Sequence, residues 1–465
     1  MERAPVLNQS ADRVPKLFLI VAPLFAILYS FIVPPFQVPD ENRHLWRAYG
    51  VSELDLVPRA KTRIPSSFLL LYGRFPARFE HVEEKRAVHS AELAWWLRQP
   101  LRSNSTTGVK NPNANLYSFV PYIPAALVLW GGRAFECSPL SLLYAGRLLN
   151  AGIYLALVYY SLRILPDFKL LLLTIALSPM SLQQAASLSA DSLTLGLTAM
   201  LTALIFKLSF NHNVTCVRMR DRLIIVVLLA LVALCKFNLW TALLAFLIPG
   251  GKFGSQKGRF IFAGTCLIAV CLAGSGWHFL NQASVATFTQ HRLAEGKWTG
   301  ENAAFIVNHP LMFVGNIITT DALFGWIWVN EFVGLFGWLS IPMNPVLVVS
   351  YAGVMLLAAC TTAGRIEIAR HERAVLGTFV LLTFISLHVL LWIFETTTRG
   401  LHDALTQSVP IAGIQGRYFL PLALPALAIV RRHHFRLQPS VVGAVLAIVV
   451  IVNGGALVTI WRVYC

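Results

Sequence analysis

Apolar runs of membrane length recur along the chain, from Leu17 near one end to Trp461 near the other. A helix needs about 20 apolar residues to cross the hydrocarbon core of a bilayer. Within lipid the backbone must satisfy its own hydrogen bonds, which favours bundled helices. With 56% hydrophobic and 13% charged residues, the chain does not belong to the water-soluble globular proteins. We therefore predict an all-α polytopic membrane protein with about 11–13 transmembrane helices, forming a single integral-membrane domain over residues 1–465.

Basic residues concentrate in short loops at 218–222, 252–259, 365–373 and 431–436. Loops rich in lysine and arginine stay on the cytoplasmic side of a membrane. The net charge of +16 therefore reflects membrane orientation, and we predict no nucleic-acid partner. The same orientation predicts a large first external loop over 34–115, with amphipathic helical pieces such as 80–97, and a second external section over 281–340.

Counting crossings exposes a conflict after the first external loop. Apolar segments follow at about 117–131, 140–162, 169–185 and 192–209. Four full crossings would place the basic loop 218–222 outside, against the charge rule. The segment 117–131 contains two prolines, and about 15 helical residues rise only roughly 22 Å. We therefore favour an incomplete crossing there, which places Asp191 on the same side as Asp40.

Two adjacent carboxylates, Asp40 and Glu41, follow the first apolar run, where the chain leaves the membrane and meets water. Ionised groups are costly inside a membrane, so its boundary is where acids are both exposed and well positioned. If a helix starts at Asp40, then Asp40, His44 and Arg47 share one face at i, i+4 and i+7. The alternative is that Asp40 is only the N-cap of this helix and that the two basic side chains are solvated.

Asp191 lies between two apolar runs. It is either the N-cap of a helix that begins at Ser192 or a second acid facing the same cavity as Asp40. The apolar stretch Leu223–Pro249 has basic loops at both ends, which predicts a helical hairpin with Lys236 at its external tip. A lysine there either extends to lipid headgroups or binds a lipid-linked phosphate, for which its compact ammonium is suited.

The segment QGRYFLP places Arg417 at the start of a late apolar run. A planar guanidinium at the membrane edge binds phosphate through two parallel hydrogen bonds. The alternative is that Arg417 only anchors the chain to lipid headgroups. We assign the neighbouring Gln415 and Tyr418 to the same candidate phosphate-binding site.

Three stretches together resemble one family. PPFQVPDENRHLWRAY, SPMSLQQAASLSAD and GIQGRYFLP occur in the order found in the polytopic bacterial family called domain of unknown function 2142. The resemblance spans nearly the whole chain. That family is in turn similar to the glycosyltransferase C superfamily. Those multi-span enzymes take sugars from polyprenyl-phosphate carriers and have an acidic residue in the first external loop.

The resemblance implies a glycosyltransferase-C-like enzyme of the bacterial inner membrane, with its active side periplasmic or extracellular. Its partners would be a polyprenyl-phosphate-linked sugar, a cell-envelope glycan or lipid acceptor, and the membrane lipids. The catalytic acid would be Asp40, with Glu41 beside it. The resemblance also favours phosphate as the partner of Lys236. The residues expected to bind substrate or phosphate are Lys236, Arg417, Tyr418, His44, Arg47 and Gln415.

Mg²⁺ or Mn²⁺ would match the carboxylates of Asp40 and Asp191, although nothing in the sequence requires a metal. An alternative function is a transporter or flippase for a lipid-linked saccharide, with the same charges along its path. A non-catalytic assembly partner for lipid-linked saccharides is a further alternative. The distinctive charges cluster at one face and no internal repeat is visible, which favours the enzyme.

Overall fold

The computed structural model describes residues 4–78, 88–362, 366–431 and 435–464. Within these ranges, seven helices are long and apolar enough to cross a membrane. They are Arg13–Ile32, Pro139–Ile164, Asp191–Phe210, Gln256–Leu280, Pro310–Val333, Arg370–Glu395 and Pro439–Tyr464. The protein is therefore an all-α polytopic membrane protein, as its hydropathy predicts.

The first part of the chain holds helices on either side of a short two-stranded sheet. Its helices are α1 (Ala4–Ile32), α2 (Glu41–Ser52), α3 (Ser66–Arg74), α4 (Ser90–Arg98), α5 (Ile123–Ala134), α6 (Pro139–Ile164), α7 (Lys169–Ala176), α8 (Pro179–Ala185) and α9 (Asp191–Phe210). Two 3₁₀ turns precede α5, at Ala114–Leu116 and Val120–Tyr122. The strands β1 (Thr62–Pro65) and β2 (Thr106–Val109) pair antiparallel.

The second part begins after a basic loop. Its helices are α10 (Met219–Cys235), α11 (Gln256–Leu280), α12 (Gln282–Ala294), α13 (Thr299–Asn308), α14 (Pro310–Val333), α15 (Pro345–Cys360), α16 (Arg370–Glu395), α17 (Thr398–Asp403), α18 (Ala423–Ile429) and α19 (Pro439–Tyr464). Three 3₁₀ helices lie at Leu239–Leu247, Gly250–Phe253 and Gly416–Leu422. The strand β3 (Leu335–Phe336) pairs antiparallel with β4 (Ile341–Pro342), and β5 (Thr361–Thr362) pairs parallel with β6 (Phe435–Arg436).

Buried polar side chains tie the central helices together. The hydroxyl of Tyr29 in α1 donates to Oδ1 of Asn453 in α19, at 3.1 Å. The amide of Asn453 donates in turn to the carbonyl oxygen of Leu177, between α7 and α8, at 3.0 Å. Interhelical hydrogen bonds of this kind help to hold helices together where lipid offers no hydrophobic driving force.

The count of continuous membrane helices falls below the predicted 11–13 because several passages are short or broken. The helical chain breaks between α7 and α8, at Leu177 and Ser178. Pro179 is the first residue of α8, a position where the missing backbone N–H of proline is tolerated. Pro345–Cys360 and Gly416–Ile429 are apolar but shorter than the seven long helices. Hydropathy detects such runs without showing where the helix breaks.

The segment 117–131 forms only a short helix. α5 has 12 residues, which rise about 18 Å against a hydrocarbon core of about 30 Å. The chain enters it through a 3₁₀ turn containing Pro121, and Pro124 lies at the start of α5. This length supports the predicted incomplete crossing.

The hairpin predicted over 223–249 is present, but its second arm is not an α-helix. α10 ends at Cys235, Lys236 follows at the turn, and the chain returns as the 3₁₀ helix Leu239–Leu247. The N–H of Val217 donates to the carbonyl oxygen of Lys252 at 2.9 Å, so the two ends of the hairpin meet. A 3₁₀ helix rises about 2 Å per residue, against about 1.5 Å in an α-helix. The nine residues of the second arm therefore extend further than they would in an α-helix.

α14 lies in the section 281–340 that is predicted to be external, although it is long and apolar enough to span. Phe313 packs on Trp392 of α16 with ring centroids 5.8 Å apart, and Trp328 packs on His388 with centroids 6.0 Å apart. α14 and α16 thus contact each other through aromatic side chains. The external position of this section stays a prediction.

The section predicted as the first external loop contains α2, α3 and α4, together with the sheet of β1 and β2. Of the amphipathic piece predicted at 80–97, the part from 88 onwards is described and includes α4. Its beginning lies outside the described residues. Parts of the basic loops at 365–373 and 431–436 also lie outside them.

Candidate functional site

Asp40 directly precedes α2 and has a left-handed backbone conformation, with φ 61° and ψ 8°. Asp40 occupies the N-cap position of α2, as the alternative reading expects, but its side chain makes no capping hydrogen bond. The carboxylate is 40% exposed and lies 3.6 Å from Nε of Arg43. Residues persist in sparsely populated conformations only where the surrounding structure fixes them. Asp40 is therefore an accessible acid held in a defined orientation.

His44 lies one helical turn after Asp40, since its N–H donates to the carbonyl oxygen of Asp40 at 3.0 Å. The helix predicted from Asp40 onwards is thus confirmed. His44 is buried, and its Nδ1 shares a hydrogen bond of 2.8 Å with the hydroxyl of Tyr122. Its ring also packs edge-on against Tyr117, with centroids 5.7 Å apart. The imidazole is therefore fixed between α2 and the short segment before α5.

Asp191 is the first residue of α9, and Ala190 occupies the N-cap position. The alternative that Asp191 caps a helix beginning at Ser192 is therefore wrong. Oδ1 of Asp191 accepts a hydrogen bond from Nζ of Lys236, at the tip of the hairpin. The same ammonium lies 5.0 Å from the ring centroid of Tyr418. Lys236 thus points into the protein.

Arg417 is also directed inward, and the residue is only 9% exposed. Its Nε donates to Oε1 of Gln415 at 2.7 Å, and its Nη1 donates to Oε1 of Gln184 in α8 at 3.4 Å. The guanidinium lies 5.7 Å from the ring centroid of Tyr418, which also contacts Lys236. These contacts exclude a side chain that extends outward to lipid headgroups.

The backbone before Arg417 is clamped against α14. The N–H of Gly416 donates to Oε2 of Glu331 at 2.5 Å, and Nε1 of Trp328 donates to the carbonyl oxygen of Ile414 at 3.2 Å. A Cβ at position 416 would lie 2.0 Å from the carbonyl oxygen of Trp328. Only glycine permits this close approach. α14 therefore positions Arg417 through its neighbour Gly416.

Four charged candidate residues lie around His44, and three of them come from distant parts of the chain. Burial lowers the pKa of His44 from 6.5 to about 4, while Asp40 and Asp191 act to raise it and Arg417 and Lys236 act to lower it further. All four charges thus lie close enough to act on one imidazole. Asp40 is therefore brought together with the predicted phosphate-binding cations, and the imidazole is neutral at neutral pH.

Glu41 differs sharply from its neighbour Asp40. Both Glu41 and Arg147 of α6 are fully buried, and Arg147 donates to the two carboxylate oxygens at 2.7 and 2.6 Å. The N–H groups of Phe36 and Leu188 also donate to this carboxylate, at 3.0 and 3.3 Å. Arg147 further donates to three carbonyl oxygens in 30–34. The catalytic role predicted for Glu41 stays a prediction, and these contacts favour a structural role.

Arg47 is buried and donates to the carbonyl oxygens of Asp55 and Leu56, at 2.8 and 2.6 Å. Its guanidinium lies 5.9 Å from the ring centroid of Tyr122. The substrate-binding role predicted for Arg47 stays a prediction. Its contacts favour a role in holding the end of α2 against the following turn.

Several residues that build the site were not identified from the sequence. Arg147, Glu331, Tyr117 and Tyr122 touch its members directly, and Gln184 lies in one of the stretches that carry the family resemblance. Arg147 carried a usable signal, because a charged residue inside an apolar run seeks a partner. The tyrosines carried none, since aromatic residues at a membrane boundary usually act as anchors.

Among the described residues, no group of three or more His, Cys, Asp or Glu side chains is arranged to hold a metal ion. The two carboxylates predicted as ligands are Asp40 and Asp191, and Asp191 already binds Lys236. The metal-binding role of both acids stays a prediction. The positive charge that this site itself presents comes from Lys236 and Arg417.

Comparison with known proteins places this architecture in a family. None of the curated proteins and none of the solved structures matches the chain. The model of one family, described as predicted membrane protein (DUF2142), matches residues 24–452 and so covers most of the chain. The chain belongs to this family of membrane proteins.

Proposed function

We propose that the protein is a membrane glycosyltransferase that moves a sugar from a polyprenyl-phosphate carrier to a cell-envelope glycan or lipid acceptor. The reaction would occur on the external face of the bacterial inner membrane. One observation carries the proposal. An accessible carboxylate, Asp40, lies one helical turn before the buried His44, and two inward-pointing cations, Lys236 and Arg417, share the ring of Tyr418.

The proposed reaction needs an acid and cations in this arrangement. The acceptor hydroxyl gives its proton to the Asp40 carboxylate, and its oxygen bonds to the anomeric carbon of the sugar. The bond between that carbon and the carrier phosphate breaks, and its electron pair stays on the phosphate oxygen. The phosphate thereby changes from a singly charged diester to a monoester with one more negative charge. Cations placed at the leaving oxygen stabilise this developing charge.

Lys236 and Arg417 would bind the carrier phosphate, and other side chains position them. Asp191 holds the ammonium of Lys236, while Gln415 and Gln184 hold the guanidinium of Arg417. Preorganised charges stabilise a transition state without the cost of reorientation. Asp40, which is 40% exposed and not bound to either of these cations in the described residues, would accept the proton.

The similarity between this family and the glycosyltransferase C superfamily, which we expect from the sequence, favours the same reaction, because Asp40 lies in the predicted first external loop, where those enzymes have an acid. A transporter or flippase for a lipid-linked saccharide is the second candidate. It is favoured by the interruption between α7 and α8, since discontinuous helices line the sites of many transporters. The accessible acid beside two inward cations favours the enzyme.

The test uses the purified protein reconstituted in lipid with polyprenyl-phosphate sugars and envelope glycan or lipid acceptors. We expect release of polyprenyl phosphate, together with appearance of the sugar on the acceptor. Movement of an intact lipid-linked saccharide across vesicles without release of the phosphate would replace the enzyme by the transporter. If the protein neither transfers sugar nor moves the saccharide with a panel of hexose and pentose donors, both functions are contradicted.

A further inference from the structure

A second feature lies beside α2, on the side away from Lys236 and Arg417. A cavity of about 490 Å³ opens there between α2, the end of α3, the segment after β2, and the external section 281–340. This volume falls within the range of roughly 300–1,000 Å³ typical of small-molecule sites. None of the roles assigned so far involves this cavity.

Three aromatic side chains line it. Trp46 packs edge-on against Tyr72, with ring centroids 5.9 Å apart, and Trp338 lines the cavity with them. Nε1 of Trp338 donates to the carbonyl oxygen of Phe36 at 3.0 Å, which fixes that ring. Aromatic faces carry negative potential, and the C–H groups of a pyranose ring stack against them. The aromatic lining thus suits a sugar.

The charged residues among the lining are basic. Arg43, Lys110 and His291 line the cavity, and no aspartate or glutamate does so among the described residues. Arg43 lies near Asp40 and His291 near Glu295, so part of their charge is offset. Lys110 has no hydrogen-bond or ion-pair partner among the described residues. The described part of the lining therefore carries net positive charge, mainly from Lys110.

The cavity is connected to the reacting acid through one helix. Asn42 and Trp46 lie on one side of α2, Asp40 and His44 lie on the other, and Arg43 lies between them. Asn111, next to Lys110, donates to the carbonyl oxygen of Arg43 at 2.8 Å. The loop that carries Lys110 is thereby attached to α2 beside Asp40.

We propose that this cavity binds the acceptor, and that the acceptor is a saccharide carrying a negative charge, such as a uronic acid or a phosphorylated sugar. The sugar rings stack on Trp46, Tyr72 and Trp338, and its anionic group pairs with Lys110 and Arg43. Arg43, which lies 3.6 Å from Asp40, then stands between the bound sugar and that acid. The acceptor role rests on the proposed function, whereas binding of the anionic saccharide does not.

Binding is tested on the purified protein in phosphatidylcholine nanodiscs, without any donor, by calorimetric titration. The probes are the disaccharide cellobiouronate, which carries one carboxylate, and neutral cellobiose. We expect cellobiouronate to bind about tenfold more tightly, the value of one charge-assisted hydrogen bond. Lys110→Met should remove this preference, and Lys61→Met, which alters an exposed lysine outside the cavity, should keep it.

Equal binding of the two sugars, no binding of either, or an unchanged preference in Lys110→Met would overturn the proposal. A phosphate-bearing lipid headgroup has related chemistry, so the titration is repeated in phosphatidylglycerol nanodiscs. Loss of the preference there would assign the cavity to lipid headgroups instead. Retention of the preference supports the saccharide.

A transfer assay separates this inference from the proposed function. Lys110→Met should raise KM for an anionic acceptor and leave kcat and the KM for the donor unchanged. A protein that binds cellobiouronate selectively but never transfers sugar would refute the glycosyltransferase and the acceptor role while retaining the binding site. A protein that transfers sugar with unchanged acceptor KM in Lys110→Met would refute the cavity alone.

Discussion

Lys236 donates a hydrogen bond from its ammonium to the carboxylate of Asp191, which joins the tip of the hairpin to the first residue of α9. The pair neutralises Asp191 and directs Lys236 toward Tyr418 and Arg417. Asp40 and Asp191 look alike in the sequence, but their side chains have different partners in the structure. Asp191 is held by a lysine, and Asp40 remains accessible.

Asp40→Asn should lower transfer by about 10²–10⁴-fold, the usual effect of losing a general base. The amide is nearly the same shape but does not accept the proton. Because the carboxylate is 40% exposed and makes no capping bond, the variant should fold normally. Release of polyprenyl phosphate is the measurement, with thermal unfolding in detergent as the check of folding.

Asp403→Asn is the matched control, since Asp403 is 42% exposed and lies in α17. It should transfer sugar at the wild-type rate. Near-normal turnover in Asp40→Asn would remove Asp40 from the proposed chemistry.

Lys236→Met and Arg417→Gln should each weaken donor binding or turnover by about 10–150-fold, as expected for a charge-assisted contact to phosphate. The two losses should not add in the double variant, because both cations contact one ligand. Binding of a polyprenyl-phosphate sugar and steady-state turnover are the measurements. Strictly additive losses would show that the two cations act on separate ligands.

A second variant separates phosphate binding from the ion pair. Lys236→Met leaves Asp191 without its partner and should lower the melting temperature, whereas Lys236→Met with Asp191→Asn should recover it. Donor affinity should remain low in both. Full recovery of donor affinity in the double variant would show that Lys236 serves only to neutralise Asp191.

Glu41→Gln and Arg147→Met should each destabilise the protein by about 3–5 kcal/mol, since each leaves a buried charge unpaired. Both side chains are fully buried. Glu41→Leu combined with Arg147→Met should be less destabilised than the sum of the single variants. Thermal unfolding in detergent measures this. A Glu41→Gln protein with wild-type stability and no transfer would restore the catalytic role predicted for Glu41.

Gly416→Ala should lower both stability and transfer, because the added Cβ would lie 2.0 Å from the carbonyl oxygen of Trp328. Overpacking at a close approach costs about 1–3 kcal/mol, and relief of the clash moves Arg417. Gly454→Ala is the control, because a Cβ there meets no atom within 4 Å. Equal activity and melting temperature in the two variants would contradict the clamp on α14.

The stability of the wild-type protein should fall as the pH drops through the window between 6.5 and about 4, the ordinary and folded-state pKa values of His44. In that window the unfolded chain binds more protons than the folded one, so stability rises with pH. His44→Gln lacks this ionisation and should lose less stability on acidification. Melting temperatures at several pH values measure the difference, and equal slopes would contradict a buried neutral His44.

The sequence predicted the membrane fold because apolar length and loop charge act locally. The hairpin around Lys236 followed from the basic loops at both of its ends. The 3₁₀ conformation of its second arm was not predicted, because Leu239–Leu247 has the apolar composition of an ordinary α-helix. The break at Leu177 and Ser178 was missed for the same reason, since hydropathy does not record where a helix ends.

The sequence predicted those site residues that carry a charge at the end of an apolar run. Asp40, Lys236 and Arg417 each follow or precede an apolar run, and the structure brings them together. The separation of Asp40 from Glu41 was not predictable, because it depends on Arg147 reaching Glu41 from α6. Adjacent acids have the same local sequence, and only tertiary contacts distinguish them.

The contacts of Glu41 and Arg417 imply an order of assembly during synthesis. Every partner of Glu41, including Arg147 and Leu188, belongs to the early part of the chain, so its ion pair is complete soon after α8 emerges. Arg417 follows its partner Gln184 by 233 residues, which takes roughly 10–50 s at usual rates of translation. A nascent chain therefore holds the ion pair of Glu41 and Arg147 beside Asp40 well before it contains Arg417. Under the proposed function, sugar transfer begins only after the segment with Arg417 has been inserted.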